Sequence, residues 1–112
     1  PTSPLEIILA NRERDLHTLA LLDLDPTGMG EGEQSPMSPE IAIDVLRKMG
    51  AALEIDVEDW IIVLCSDMGT ENACVSVGSP SEISDIKKGR IHCMIVPAKL
   101  HDVEAAALDR WD

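Results

Sequence analysis

Two of the chain's three histidines and one of its three cysteines fall in one short run, His92-Cys93-Met94-Ile95-Val96-Pro97-Ala98-Lys99-Leu100-His101-Asp102-Val103-Glu104-Ala105. An imidazole moves protons, a thiolate attacks electrophiles, and either binds a metal. The run also reads as a strand, a proline stop, a polar turn and a helix start, which is where α/β proteins place ligand contacts. His92 and Cys93 are adjacent, and adjacent side chains of a strand point to opposite faces, so the two cannot hold one ion together. No Ser-His-Asp or Cys-His constellation stands out, and Cys65 with His101 is the thiol–imidazole pairing left open. Gly28-Met29-Gly30-Glu31-Gly32 follows a predicted strand but runs into Glu and Pro, which repel a pyrophosphate. If the chain belongs to an enzyme, the catalytic groups lie mostly elsewhere.

The rest of the chain has to position these residues. Its 112 residues make one domain the default, and 45% of them are hydrophobic, enough for a core. Phe and Tyr are absent, so the core has to be aliphatic. There are 21 Asp and Glu against 9 Lys and Arg, a net charge of −12. Such a field disfavours direct contact with nucleic acid or with anionic membranes and suits solution in high salt. No membrane-length apolar run and no basic-plus-apolar leader is seen, so a cytoplasmic location is expected. Cys65, Cys74 and Cys93, odd in number and set in or beside apolar runs, are expected to be buried free thiols.

Three of the four Ser-Pro pairs, Ser3-Pro4, Ser38-Pro39 and Ser79-Pro80, suit helix starts, with Ser as N-cap and Pro at the first helical position. Ser3-Pro4-Leu5-Glu6 and Ser79-Pro80-Ser81-Glu82 also carry the Glu of a capping box. Helices are expected at about 4–14, from Ser38, from Ser79 to Lys87-Lys88-Gly89, and over 102–108. Ile41, Val45, Met49 and Ala52 form the predicted buried stripe of the second. Strands are expected at 17–24 and 60–66, both buried on two faces, and at 73–77 and 91–96. Residues 25–37 read as a flexible loop. The order α-β-α-β-β-α-β-α predicts a two-layer α/β or α+β sandwich, with a ferredoxin-like arrangement as the plain alternative.

The segments Leu16 to Asp23, Trp60 to Ser66 with the Gly69 turn, and Ile95-Val96-Pro97-Ala98-Lys99-Leu100-His101-Asp102-Val103-Glu104-Ala105 resemble the diphthine synthase family. These are S-adenosylmethionine methyltransferases of the tetrapyrrole-methylase-like class. The resemblance runs from Pro1 to about Leu108 and covers the family's C-terminal domain. The N-terminal domain, with its glycine-containing cofactor turn, is not in the chain, and neither is the strand expected to precede the first helix. With the strands lettered a to d in chain order, the resemblance implies a mixed sheet of order a-d-b-c, c and d antiparallel to a and b. A ferredoxin-like sheet would instead have a and c at its centre.

Carried over position by position, the family's cofactor contacts fall on Leu22, Met68 and His92, with S-adenosylmethionine as methyl donor. Leu22 and Met68 would offer apolar walls and backbone hydrogen bonds; His92 would offer its ring or backbone. Met68 and Asp67 stand where the family has a small and a basic residue. The implied partners are translation elongation factor two as protein substrate, the N-terminal domain, and a second copy in a homodimer. The alternatives from other classes are a ferredoxin-like module that binds a small regulatory molecule, and a dimerisation domain whose strand a is open for pairing.

Overall fold

The computed structural model describes residues 2–22, 37–98 and 102–109, the last segment's first two residues by backbone only. The elements are α1 (Ser3–Glu13), β1 (Thr18–Leu22), α2 (Pro39–Ala52), β2 (Ile62–Ser66), β3 (Cys74–Gly78), α3 (Pro80–Ser84), β4 (His92–Val96) and α4 (Asp102–Asp109). The expected 25–37 loop lies, apart from Met37, outside the described residues.

The strands form one sheet in the order β1-β4-β2-β3. This is the order a-d-b-c, with β3 and β4 antiparallel to β1 and β2. Every adjacent pair is therefore antiparallel, so these four strands by themselves make an antiparallel sheet rather than a mixed one. The central strands are β4 and β2, which rules out the ferredoxin-like arrangement.

The two faces of the sheet differ. Ile62 and Leu64 of β2, Met94 and Val96 of β4, and Leu22 of β1 point into one core with Leu5 and Ile8 of α1, Ala42, Ile43 and Leu46 of α2, and Ile83 of α3. Each fully buried aliphatic side chain here stabilises the fold by roughly 1.5–3 kcal/mol. The opposite face carries Leu19, Leu21, Val63, Cys65, Val75, Val77, Cys93 and Ile95, because side chains alternate along a strand. Leu19 and Leu21 are 60% and 66% exposed, so β1 is a half-buried edge strand and not the doubly buried one expected. The apolar run hid the alternation, because Leu stands on both faces. α4 lies at one end of the open face, where Ala105 and Leu108 join Trp60, Ile61 and Val77 around a cleft of about 580 Å³.

The helices show which local signals carried. Ser38 caps α2, its Oγ accepting the Ile41 N–H at 3.2 Å. Ser79 and Glu82 close a full capping box on α3. Ser3 does not cap α1: the helix starts at Ser3 itself, Thr2 is the N-cap, and no side chain caps it. The buried face of α2 is Pro39, Ala42, Ile43, Leu46 and Gly50, not the stripe through Ile41. Both faces of this helix carry aliphatic residues, and contact with the sheet decided between them. α3 stops at Ser84, short of the Lys87-Lys88-Gly89 end expected for it.

α1 and α2 end in the same way, without glycine. The Leu16 and Asp15 N–H groups donate to the Asn11 and Arg12 carbonyls, with Asp15 at φ 57°. The Ile55 and Glu54 N–H groups donate to the Gly50 and Ala51 carbonyls, with Glu54 at φ 58°. These are Schellman ends closed by acidic residues in the left-handed region. No helix among the described residues is long and apolar enough to cross a membrane.

Candidate functional site

The last rung of the sheet sets the site. Leu22 is the register partner of His92, His92 that of Ser66, and Ser66 that of Cys74. The row Leu22–His92–Ser66–Cys74 thus crosses the whole sheet at one edge, on the helix-covered face. Met68 stands two residues beyond Ser66 and is 56% exposed. The antiparallel direction of β4 is what brings its first residue beside the last residues of β1 and β2.

The three expected positions therefore meet on one edge, but they offer different things. Leu22 is buried in the core, so its side chain is not an open wall. Its contribution to a ligand is confined to its backbone, and its carbonyl already accepts the Met37 N–H at 3.3 Å. Met68 is free to present its thioether. His92 is buried with its Nδ1 in a 2.8 Å hydrogen bond to Ser66 Oγ. Its ring lines a cleft of about 380 Å³ with Ser38, Pro39 and Glu40 at the start of α2 and Lys87, Gly89 and Arg90 of the α3–β4 loop. A second cleft of about 430 Å³ lies beside it, lined by Ser66, Asp67, Asn72, Cys74, Lys88 and Gly89. Leu22 and Met68 line neither cleft.

Asp67 organises this edge, at the position where the sequence departs from the family's basic residue. Its carboxylate accepts the Ile91 N–H at 2.8 Å and the Arg90 N–H at 3.1 and 3.2 Å, and its own N–H donates to the Ile91 carbonyl at 2.7 Å. The turn after β2 is thereby clamped to the turn before β4. The amides of Ile91 and Arg90, aided by the nearby Arg90 guanidinium, hold the Asp67 carboxyl below the usual carboxylate range. Asp67 adopts φ 51°, a left-handed conformation that Asp tolerates better than most residues. At Gly89, φ is +86° and an added Cβ would stand 3.0 Å from both His92 Cε1 and Ser66 Cβ. A side chain there would push the loop off the Ser66–His92 pair. The sequence marks Asp67 only as a departure from the family pattern; a short polar residue after a buried strand is too common to reveal the clamp.

The opposite edge holds the Pro97–Glu104 signature. The Ala98 N–H donates to His17 Nδ1 at 2.9 Å, and a backbone amide only donates, so Nδ1 carries the lone pair. The ring proton then sits on Nε2 and reaches Glu104 Oε2 at 2.7 Å. Arg12 donates to the Pro97 carbonyl at 2.8 Å and stacks 4.5 Å above the Trp60 ring. The signature is a structural clamp between α1, β1, β4 and α4, on the edge away from Leu22 and His92. Its Lys99, Leu100 and His101, and with them the Cys65–His101 pairing, lie outside the described residues. Among the described residues no three His, Cys, Asp or Glu side chains are grouped to hold a metal ion.

No protein-family model matches the chain. Curated relatives do. A diphthine synthase from Methanosphaera stadtmanae is 33% identical over 96% of the chain and 40% of its own length. One from Halorubrum lacusprofundi gives the same three figures. A crystal structure of diphthine synthase superposes with a TM-score of 0.80 at 29% identity, covering 99% of this chain and 40% of that one. This chain matches one part of diphthine synthase. An Entamoeba histolytica crystal structure reaches a TM-score of 0.88 at 23% identity and adds support for the fold alone. The resemblance to diphthine synthase read from the sequence, and the strand order it implied, are borne out. The chain spans about two fifths of the length of the diphthine synthases it matches.

Proposed function

We propose that the chain is the C-terminal domain, residues 1–112, of a diphthine synthase, an S-adenosylmethionine-dependent methyltransferase acting on the modified histidine of translation elongation factor two in diphthamide biosynthesis. The observation that carries the reading is the shared sheet edge. Leu22, Met68 and His92, the positions the family resemblance implies for cofactor contacts, lie at one end of the sheet, at or just past the ends of β1 and β2 and at the start of β4. The curated relatives' name supports the reaction.

The edge fits part of a nucleoside site. The cleft beside His92, of about 380 Å³, is within the range for small ligands, about 300–1,000 Å³, and has the buried His92 in its lining. Met68 would cover an apolar part of the cofactor, His92 would offer its ring edge, and Leu22 its backbone. The cofactor, when bound, supplies an electrophilic methyl on sulfur. The task left to the protein is to align an amine lone pair with that methyl in a dry site, so positioning supplies most of the rate and no catalytic residue is assigned in this domain. The N-terminal domain of the whole enzyme would close the other side of the cleft. A homodimer in the cytoplasm completes the reading.

The test is calorimetry with S-adenosylhomocysteine on the whole enzyme, comparing wild type, His92→Ala and His92→Asn, the last keeping a partner for Ser66. Affinity should fall about tenfold or more in both variants, the loss expected for one hydrogen-bonded contact. Leu19→Ala, on the far face, should bind as wild type. Unchanged affinity in folded His92 variants would remove His92 from the site. The 112-residue chain alone should transfer no methyl group to elongation factor two, and turnover by it would overturn the reading of it as part of an enzyme.

A further inference from the structure

Cys65 of β2 and Cys93 of β4 are direct register partners on the two central strands. Opposed residues of an antiparallel pair have Cα atoms about 4.5–5.5 Å apart, inside the span of about 4.4–6.8 Å that a disulfide bridges. Both thiols are free and half-buried, on the sheet face that α1, α2 and α3 leave uncovered. Their row across that face is Leu21–Cys93–Cys65–Val75, and Leu21 is 66% exposed, so a small reagent reaches the pair from solvent. The Cys65 thiol is held above its ordinary range by burial and then by the neighbouring Cys93. Cys74 is on the other face, in the row with Ser66 and His92, and cannot reach either.

We propose that Cys65 and Cys93 are a redox-active dithiol, which a low-molecular-weight disulfide closes into a bridge between β2 and β4. One protein thiolate attacks a sulfur of the small disulfide, forming a mixed disulfide and expelling one small thiolate. The second protein thiol loses its proton and attacks the protein sulfur of that mixed disulfide, expelling the other small thiolate. The protein loses two electrons and two protons, and the small disulfide becomes two thiols. The bridge lies one rung from Ser66–His92, on the reverse side of the sheet, so it staples the strand ends that form the candidate edge. Cross-strand register sets the two residues opposite each other, within the span a disulfide bridges.

The experiment treats the folded chain with oxidised glutathione and reads intact mass, thiol count after unfolding, and non-reducing peptide maps. Cys74→Ser should lose the mass of two hydrogens, retain no titratable thiol, and yield a peptide joining Cys65 to Cys93. The wild type should keep one thiol, that of Cys74, and Cys93→Ser should form no internal bridge. Oxidised Cys74→Ser should melt at a higher temperature than its reduced form, and Cys93→Ser should show no such rise from internal bridging. Stable glutathione adducts on both thiols of folded Cys74→Ser, or no reaction until it is unfolded, would overturn the proposal.

Discussion

At the scale of single residues, Asp67 holds the candidate edge together, because one carboxylate collects three backbone hydrogen-bond contacts from Arg90 and Ile91. Its folded pKa is lowered, so its charged form is favoured by folding. The linkage has a definite sign. The stabilisation is fully present above the unfolded carboxylate pKa, about 3.9, and is lost as pH falls through the lower folded value. Asp67→Asn keeps a side chain suited to φ 51° and one oxygen to accept the Ile91 and Arg90 N–H groups, while removing the charge and turning the second acceptor oxygen into an NH2 donor. We expect the melting temperature of wild type to exceed that of Asp67→Asn at pH 7, and the gap to close as pH falls below about 4. A gap that stays constant down to low pH would assign the difference to shape rather than charge. His92 shows the complementary lesson. Its residue type was legible as chemistry, but its 2.8 Å bond to Ser66 depends on a pairing across 26 residues of sequence.

At the scale of elements, three similar Ser-Pro starts have different outcomes. Ser38 and Ser79 each accept a backbone N–H, whereas Ser3 is the first helical residue and caps nothing. Ser38→Ala and Ser79→Ala should each destabilise the fold by about 1 kcal/mol, and Ser3→Ala should stay within about 0.5 kcal/mol of wild type. Urea unfolding of the three variants checks this, and equal losses in all three would restore the capping box read at Ser3. Caps are local, so two of three were readable. The Schellman ends at Asp15 and Glu54 were not, because the usual sign, glycine, is missing from both positions. The buried stripe of α2 was misplaced for another reason: periodicity finds an apolar face, but the sheet chooses among several when aliphatic residues surround the helix.

At the scale of the whole molecule, a net charge of −12 on 112 residues places like charges close together over the surface. Self-repulsion of that kind destabilises the compact state and is screened by salt, the Debye length falling from about 10 Å at 0.1 M to about 3 Å at 1 M. The melting temperature at pH 7 should therefore rise between those two sodium chloride concentrations. A variant with several exposed Asp or Glu residues replaced by Lys should gain less. A melting temperature flat across that range would separate the acidic composition from stability, and a fold fully intact at low salt would weaken the link to a high-salt habitat.

The sequence by itself determined the number and type of elements, their order, two caps and the aliphatic core. Each of these follows from residue type and short-range spacing. Through the long Val-Pro-x-Lys-Leu-His signature it also determined the resemblance that implied the strand order. Only the tertiary structure decided which face of each element is buried, because Leu19 and Leu21 differ from Leu22 in surroundings and not in kind. The strand directions that the resemblance implied already separate the signature from Leu22, His92 and Met68, and the structure agrees; only the structure set Asp67 as the clamp between two turns. It also opposed Cys65 to Cys93. Register between distant strands is set by packing of the whole sheet against α1, α2 and α3, and no local run of residues carries that information.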